Sequence, residues 1–584
     1  MKKNIFSSIA VAGLALLTLG ACADSDYTSK YQNPSTTRTA SVPQVFSAVL
    51  QKGNTWMNPM YYRYYCQMTT SGIFSGVLGS NNGKGRFQGA GEPRYNDRWK
   101  NFYDMLTQHR LLEKTYENLP ETEKPNAKVM LLLSRALIDG QLHEMLSLFG
   151  SVPFNNSCTS TLWAESDYNA AKEKDKFEDD TKLYEQILKE LKETADYLHT
   201  GGVSAVAQTN LKLADITVAK GSIDMWTKYV NSLRLRIALH LSTNGSLTAE
   251  AHNVIKEILE NPASYPVIDS NDENMGVTAS TNNDDFNFGK SLSQALRYGG
   301  YTVSQTYLDA LNVPANGVPS AVTDPRTSYL LDPNPDGEYI SYDVTKSNSE
   351  ISNIADVKTQ EYAGRTPSIT GAGYYCTLDS TAYAGVEEYN GNNNLFGLWI
   401  GAAEVNLTKA EAYLMGYGVA KSEQKAKACF IEGVKQSNEY YVNLKTTSTL
   451  FNANTGNDSY KSQRSLTWNG VKDIDAYAEG IWEPTQKAIN TQLWLNYSWT
   501  NWLEAWNTVR RTGYPEIKFA EDGIMSNYPT PPNRLPYPSD EQNYNQTNYK
   551  DAVSKYYDSN DTYGYYTKLF WAKDGKYYSI VAKQ

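Results

Sequence analysis

Apolar residues recur along much of this chain at the spacing that places them on one face of a helix. Trp99, Phe102, Tyr103 and Leu106 fall at i, i+3, i+4 and i+7. Tyr184, Ile187, Leu188, Leu191, Ala195 and Leu198 form a second stripe, and Trp226, Tyr229, Val230, Leu233, Ile237 and Leu241 a third. Helical signal begins near Pro43, with Phe46, Val49 and Leu50 on one face, and Trp56 to Met68 reads as a second helix. Ala127 to Phe149 predicts a long helix stopped by Gly150, with Pro153 soon after. Ala402 to Met415 closes on Gly416 and Gly418; Glu423 to Tyr441, Glu483 to Leu495 and Trp499 to Thr512 follow, the last capped by Gly513. Each amphipathic stripe needs a partner surface, so the expectation is an all-α body of helix hairpins.

Two stretches break the pattern. Between Thr69 and Glu92 lie seven glycines, from Gly72 to Gly91, in one long loop. From about 261 to 394, Asn, Asp, Ser, Thr, Gly and Tyr dominate and periodicity disappears, apart from about Ser304 to Leu311. Irregular stretches of that length in a folded body are often functional. The tail from Tyr514 onward reads as an aromatic loop. Ala426, Phe430 and Val434, four apart, resemble the second half of a tetratricopeptide unit, although no strict 34-residue repeat runs through the chain.

The N-terminus has a different character. Lys2 and Lys3 precede an apolar run from Ile9 to Leu19, too short to span a bilayer, and Leu19-Gly20-Ala21-Cys22 closes it. A cysteine after two small residues resembles a bacterial lipobox. Residues 1–21 are then a signal peptide, and Cys22 carries the lipid. Several acyl chains on one residue hold a soluble body on a membrane, where one chain does not. Residues 22–40 read as a flexible spacer, and 41–584 as a single helical body with its irregular insertion at about 261–394. The short acidic start Ala23-Asp24-Ser25-Asp26 loosely resembles a surface-export signal of Bacteroidetes lipoproteins.

Composition narrows the function. A formal charge of −10 and a pI near 5.3 remove any general attraction to nucleic acid. The 44 Tyr, 12 Trp and 15 Phe, with a mean hydropathy of −0.55, supply many rings with one apolar face and, for Tyr and Trp, one polar handle. Cys66, Cys158, Cys376 and Cys429 are scattered, so neither a redox pair nor a zinc knuckle is indicated.

Catalytic motifs are wanting. Gly79-Ser80-Asn81-Asn82-Gly83-Lys84 is one residue short of a phosphate-binding loop, and Gly85 stands where Ser or Thr should follow the lysine. His109, His143, His199, His240 and His252 lie far apart in predicted helices, as surface or core residues, and His143-Glu144 lacks a second histidine four positions on. Glu404 and Glu411 share a helix face; they read as partners of buried arginines rather than as the paired acids of glycoside hydrolysis. Asp332, Asn334 and Asp336, with Gly337 and Asp343 beyond, match the alternation of a calcium loop, but Pro333 and Pro335 and the absence of flanking helices also fit a plain turn. No cofactor is expected.

Several segments, in order, resemble the SusD/RagB-like outer-membrane lipoproteins of Bacteroidetes. Leu146 to Phe154 resembles the family's helix end running into a "GDVP" turn, with Ser151 for Asp. Trp226 to Arg236 is similar to "W…ANSLRLR", with Val230 for Ala, and Glu404 to Ala412 to "EVxFLxAEA". Glu504-Ala505-Trp506, Arg510 to Pro515, Arg534 to Pro538 and Leu569-Phe570-Trp571 complete the series. The resemblance implies a tetratricopeptide-like all-α body, an oligosaccharide ligand and a partner, a SusC-type TonB-dependent outer-membrane transporter. It also leaves room for peptides as ligand, and a surface glycoside hydrolase stays open as a different class. Arg234, Arg236, Arg510 and Arg511 are expected to serve packing or pairing with Glu404 or Glu411.

Sugars stack their apolar faces on aromatic rings and present hydroxyls to amides and charged groups. Phe74, Arg86, Phe87, Tyr95 and Asn96 in or beside the glycine loop, and Tyr374, Tyr375, Tyr383, Tyr389 and Asn390 in the insertion, offer that mixture. These two segments are expected to converge on one ligand face.

Overall fold

A computed structural model describes residues 40–79, 93–159, 174–280, 283–297, 302–334, 336–341, 375–378, 395–447, 473–520, 530–562 and 564–581. Helices dominate the first half: α1 (Val42–Met57), α2 (Tyr61–Met68), α3 (Ser71–Phe74), α4 (Pro93–Glu117), α5 (Lys124–Phe149), α6 (Asp180–His199), α7 (Ala205–Ala214), α8 (Ile223–Leu241) and α9 (Thr248–Glu260). Within and after the insertion come α10 (Phe288–Arg297), α11 (Gln305–Ala310), α12 (Thr327–Leu330), α13 (Ala402–Met415) and α14 (Glu423–Thr446). The remainder are α15 (Ile474–Gly480), α16 (Gln486–Thr500), α17 (Trp502–Thr512), α18 (Ser539–Tyr544) and α19 (Gln546–Tyr556). No helix among the described residues is long and apolar enough to cross a membrane.

The predicted stripes are the buried faces. Phe46, Val49 and Leu50 of α1 are interior, as are Trp99, Phe102 and Leu106 of α4 and all six apolar stripe residues of α6. Each helix lies against the next: α4 on α5, α5 on α6, α6 on α8, α8 on α9 and α13, α13 on α14 and α16, and α16 on α17. This is the hairpin-on-hairpin stacking of tetratricopeptide-like folds, and one buried apolar cluster takes in described residues from Val42 to Tyr577.

Short polar side chains set the helix starts. Asp179, Ser222, Ser422 and Thr485 each accept a backbone N–H of the first turn of α6, α8, α14 and α16. Gly416 and Gly513 end α13 and α17 in the left-handed conformation, at φ 77° and 79°.

The described strands are two to four residues long and form five pairs. β1 (Leu78–Gly79) pairs with β5 (Thr302–Val303), β2 (Val152–Pro153) with β3 (Phe177–Glu178), and β4 (Met275–Val277) with β8 (Gly397–Ile400). β6 (Leu331–Asp332) pairs with β7 (Thr377–Leu378), and β9 (Ile517–Ala520) runs parallel to β10 (Tyr578–Val581). Three of these pairs pin the insertion: β4–β8 joins its two ends, β6–β7 closes it on itself, and β1–β5 fastens it to the glycine-rich stretch.

The structure corrects four expectations of local structure. The helix expected over Trp56 to Met68 is two, because Pro59 lacks an N–H and holds Asn58 extended, at ψ 165°. Trp499 ends α16 instead of starting α17, and Asn501 caps the new helix through its side chain, which accepts the N–H of Glu504. The tail is not all loop: Tyr549, Ala552, Val553 and Tyr556 give α19 a face against the body. The insertion contains α10, whose Phe288 and Leu292 are buried.

Candidate functional site

The break at Pro59 also positions an aromatic surface. Asn58, extended and buried, accepts the indole N–H of Trp399 at 2.9 Å, which docks the α1–α2 corner on β8. That approach requires Gly397, since a Cβ there would sit 2.3 Å from the Asn58 side-chain oxygen. Arg63 donates to the carbonyls of Met57 and Thr500, and the Tyr64 hydroxyl donates to the Trp499 carbonyl at 2.5 Å. Tyr441 near the end of α14 donates to the Asn496 carbonyl at 2.6 Å. The corner of α2, the end of α16 and the last turns of α14 are thereby held at fixed positions.

Between them opens a shallow surface recess with a cavity volume of about 20 Å³. Tyr64 and Pro59 form one wall, Leu292 of α10 and Phe396 and Leu398 of the β8 approach a second, and Tyr440, Tyr441 and Leu444 of α14 a third, with Trp499 and Thr500 below. Phe396, Leu398, Tyr440 and Thr500 are half-buried and so reachable from outside. Tyr440 stands edge-on to Tyr441, with ring centroids 5.3 Å apart. On the outer side of α2, Tyr61 and Tyr65 lie nearly parallel at 5.4 Å, and Tyr62, 48% exposed, meets Tyr61 edge-on. Such a surface has flat apolar rings with hydroxyls at their rims.

No charged side chain lines the recess among the described residues. Burial pushes the Tyr64 hydroxyl up to about 12, against a smaller opposing pull from Arg63, and burial raises Tyr440 as well. Both hydroxyls therefore stay protonated at neutral pH. The recess can stack against and hydrogen-bond a neutral ligand, and it holds no acid, base or nucleophile.

The residues expected at the ligand face are distributed differently. Phe74 is a core residue, fully buried and 5.3 Å from the Trp506 ring. Tyr95 is buried edge-on to Phe149. A ring enclosed on both faces has none to offer a sugar, so these two rings do not serve as a stacking surface. Asn96 is half-buried on α4, and Tyr375 is buried beside Cys376. Arg86, Phe87, Tyr374, Tyr383, Tyr389 and Asn390 lie outside the described residues. The β1–β5 pairing fastens Leu78–Gly79 of the glycine-rich stretch to Thr302–Val303 of the insertion.

The calcium-like loop is a turn. The side-chain oxygen of Asn334 accepts the backbone N–H groups of Asp336 and Glu338, and the Gly337 N–H returns to the Asn334 carbonyl. Its lone pairs are thus directed at amides. Asp332 is buried in β6, Asp336 is exposed, and Asp343 lies outside the described residues. Glu404 and Glu411 are likewise spoken for: Arg236 grips Glu404 through two nitrogens, and Arg511 grips Glu411 at 2.7 and 2.6 Å. Neither carboxylate faces a cleft, which removes the pair as the acids of a glycosidase.

The chain resembles known proteins in both sequence and shape. A chitin-binding protein superposes with a TM-score of 0.63 at 21% identity, covering 91% of this chain and 100% of its own. A chitin-binding SusD homologue from Flavobacterium johnsoniae gives 0.61 at 15% identity, over 92% and 99%. A SusD homologue from Bacteroides thetaiotaomicron gives 0.59 at 16%, over 92% and 100%. Among curated proteins none matches in sequence. At such identities the structures establish the fold. The sequence model of the SusD-like family, described as starch-binding and associating with the outer membrane, matches residues 47–538. The chain therefore belongs to the SusD-like family.

Proposed function

We propose that this protein is a cell-surface lipoprotein that binds nutrient oligosaccharides and delivers them to a SusC-type TonB-dependent transporter. The recess carries this reading: an uncharged aromatic surface with half-exposed Phe396 and Tyr440, beside the tyrosines of α2, in a body with no catalytic group at that place. Two structural neighbours bind chitin, and the family description names starch, so chito- and malto-oligosaccharides are the first ligands to try.

Calorimetry with these oligosaccharides tests the assignment. Phe396→Ala and Tyr440→Ala are each expected to weaken binding on the order of tenfold, about the worth of one desolvated ring face. Unchanged affinity in both variants would move the site elsewhere, and binding of peptides in place of glycans would change the ligand class.

The lipid anchor has its own test. Cys22→Ser removes the only thiol that follows the small-residue pair. Produced without the transporter, the variant should lose most of its membrane association, because the acyl chains are its proposed hold on the bilayer.

A further inference from the structure

A cluster of chemistry-bearing groups lies in the helical core, built from residues that do not line the recess. His143 of α5, His240 of α8 and Glu504 of α17 converge there, exposed by 1%, 3% and 4%. The Nε2 of His143 is 3.1 Å from Glu504 Oε1, and its Nδ1 is 3.0 Å from the Tyr184 hydroxyl. His240 stands edge-on to His143, with ring centroids 4.7 Å apart, and lies against the Trp571 indole. One donor atom from each of the three residues lies within 4.8 Å of the other two.

Helix packing does not account for this arrangement. Leucines would fill the space without burying ring nitrogens, and the Nε2 of His240 is buried with no hydrogen-bond partner. An orphaned polar atom of that kind costs about 1–3 kcal/mol, which a ligand would recover.

We propose that His143, His240 and Glu504 form a structural site for a borderline-soft divalent metal ion, of which Zn²⁺ is the representative. Two imidazoles and one carboxylate are a zinc donor set. Tetrahedral bonds of about 2.0–2.1 Å place donor atoms about 3.3 Å apart, so the 3.1 Å pair is already at that spacing and the widest needs a shift of roughly 1.5 Å. A metal on His143 Nε2 leaves the ring proton on Nδ1, where the Tyr184 oxygen accepts it. The tyrosine's own proton can then turn toward Ser147 Oγ or the His143 carbonyl, each 3.5 Å away.

The surroundings select the kind of ion. Arg510, its guanidinium 3.7 Å from the Trp506 ring centroid, adds positive charge near the cluster, while Arg511 is neutralised by Glu411. One carboxylate beside that charge is a poor site for Ca²⁺ or Mg²⁺, which rely on several oxygens. An ion held mainly by nitrogen suits it better. Occupancy would tie α5, α8 and α17 together at one point, and any proton held between His143 and Glu504 leaves to solvent as the metal binds.

The full mature chain is refolded with and without equimolar ZnCl₂, passed through a desalting column and assayed for bound metal. One zinc per chain and a raised Tm are expected. His240→Gln should lose both, while His252→Gln, altering a half-buried histidine outside the cluster, should keep both. Cobalt-refolded wild-type protein should show the visible bands of a tetrahedral site, a readout that needs no variant to fold. Absence of stoichiometric zinc, absence of the cobalt bands, or zinc retained by folded His240→Gln would each overturn the site.

Discussion

Arg511→Met is expected to destabilise the protein by about 3–5 kcal/mol, because it strands a carboxylate in the core. Arg511 and Glu411 are 2% and 0% exposed. The guanidinium donates to both Glu411 oxygens, to Asn490 Oδ1 at 2.8 Å and to Thr243 Oγ1 at 3.1 Å. Gln486 adds a further donor to Glu411 at 2.9 Å, so the carboxylate is enclosed by partners. A methionine fills much of the arginine's volume yet donates nothing, and the charge on Glu411 stays behind. Replacing both residues, as Glu411→Leu with Arg511→Met, removes the charge together with its partner and should restore most of the lost stability. Urea unfolding of the two single variants and the double variant reads this directly. A single-variant loss below about 1 kcal/mol would show that water reaches the pair and that the burial is only apparent. Glycan affinity per folded molecule should be the same throughout, since neither residue lines the recess.

That pairing was within reach of the sequence. Glu404 and Glu411 share one face of an apolar helix, and a charge on such a face needs an opposite charge nearby; Arg236 and Arg511 supply it. The long stripes were equally legible, because six apolar residues at helical spacing in α6 leave no other way to be buried. Shorter helices were harder. α10 and α19 have few apolar positions among Ser, Asn and Tyr, and tertiary contact decides their conformation more than pattern does. The candidate site was the least legible part. Aromatic residues in glycine-rich loops look ligand-facing by composition, but Phe74 and Tyr95 fill the core instead. The informative signal lay in α2: four tyrosines within residues 61–65 exceed what one buried helix face can hold. Some of them had to face outward. The recess itself joins residues from Pro59 to Thr500, a proximity that only the folded chain creates.

Asp139→Asn should stabilise the protein at neutral pH by about 2–3 kcal/mol, the scale of leaving a buried charged group unsatisfied. Asp139 lies inside α5 with no exposure, and its carboxyl meets the Glu190 carboxylate of α6 with no cation among the described residues bridging the two. Burial raises its proton affinity well above that of an ordinary aspartate, and the Glu190 carboxylate on α6 adds to the effect, against a smaller opposing pull from Arg135. The sign follows from which state holds the proton more tightly. The folded state does, so Asp139 contributes full stability only below the ordinary aspartate range, near pH 4, and that contribution is lost as pH rises through the elevated folded value. At neutral pH the fold must either carry a buried charge or take up a proton from solution. Asparagine has the same shape and no charge, and its amide can donate toward Glu190. Denaturant unfolding at pH 5 and at pH 7.5 separates this from a simple packing effect: the advantage of the variant over the wild type should widen with pH. An advantage equal at both values would mean that Asp139 has the same proton affinity folded and unfolded, and that water reaches it within the α5–α6 interface.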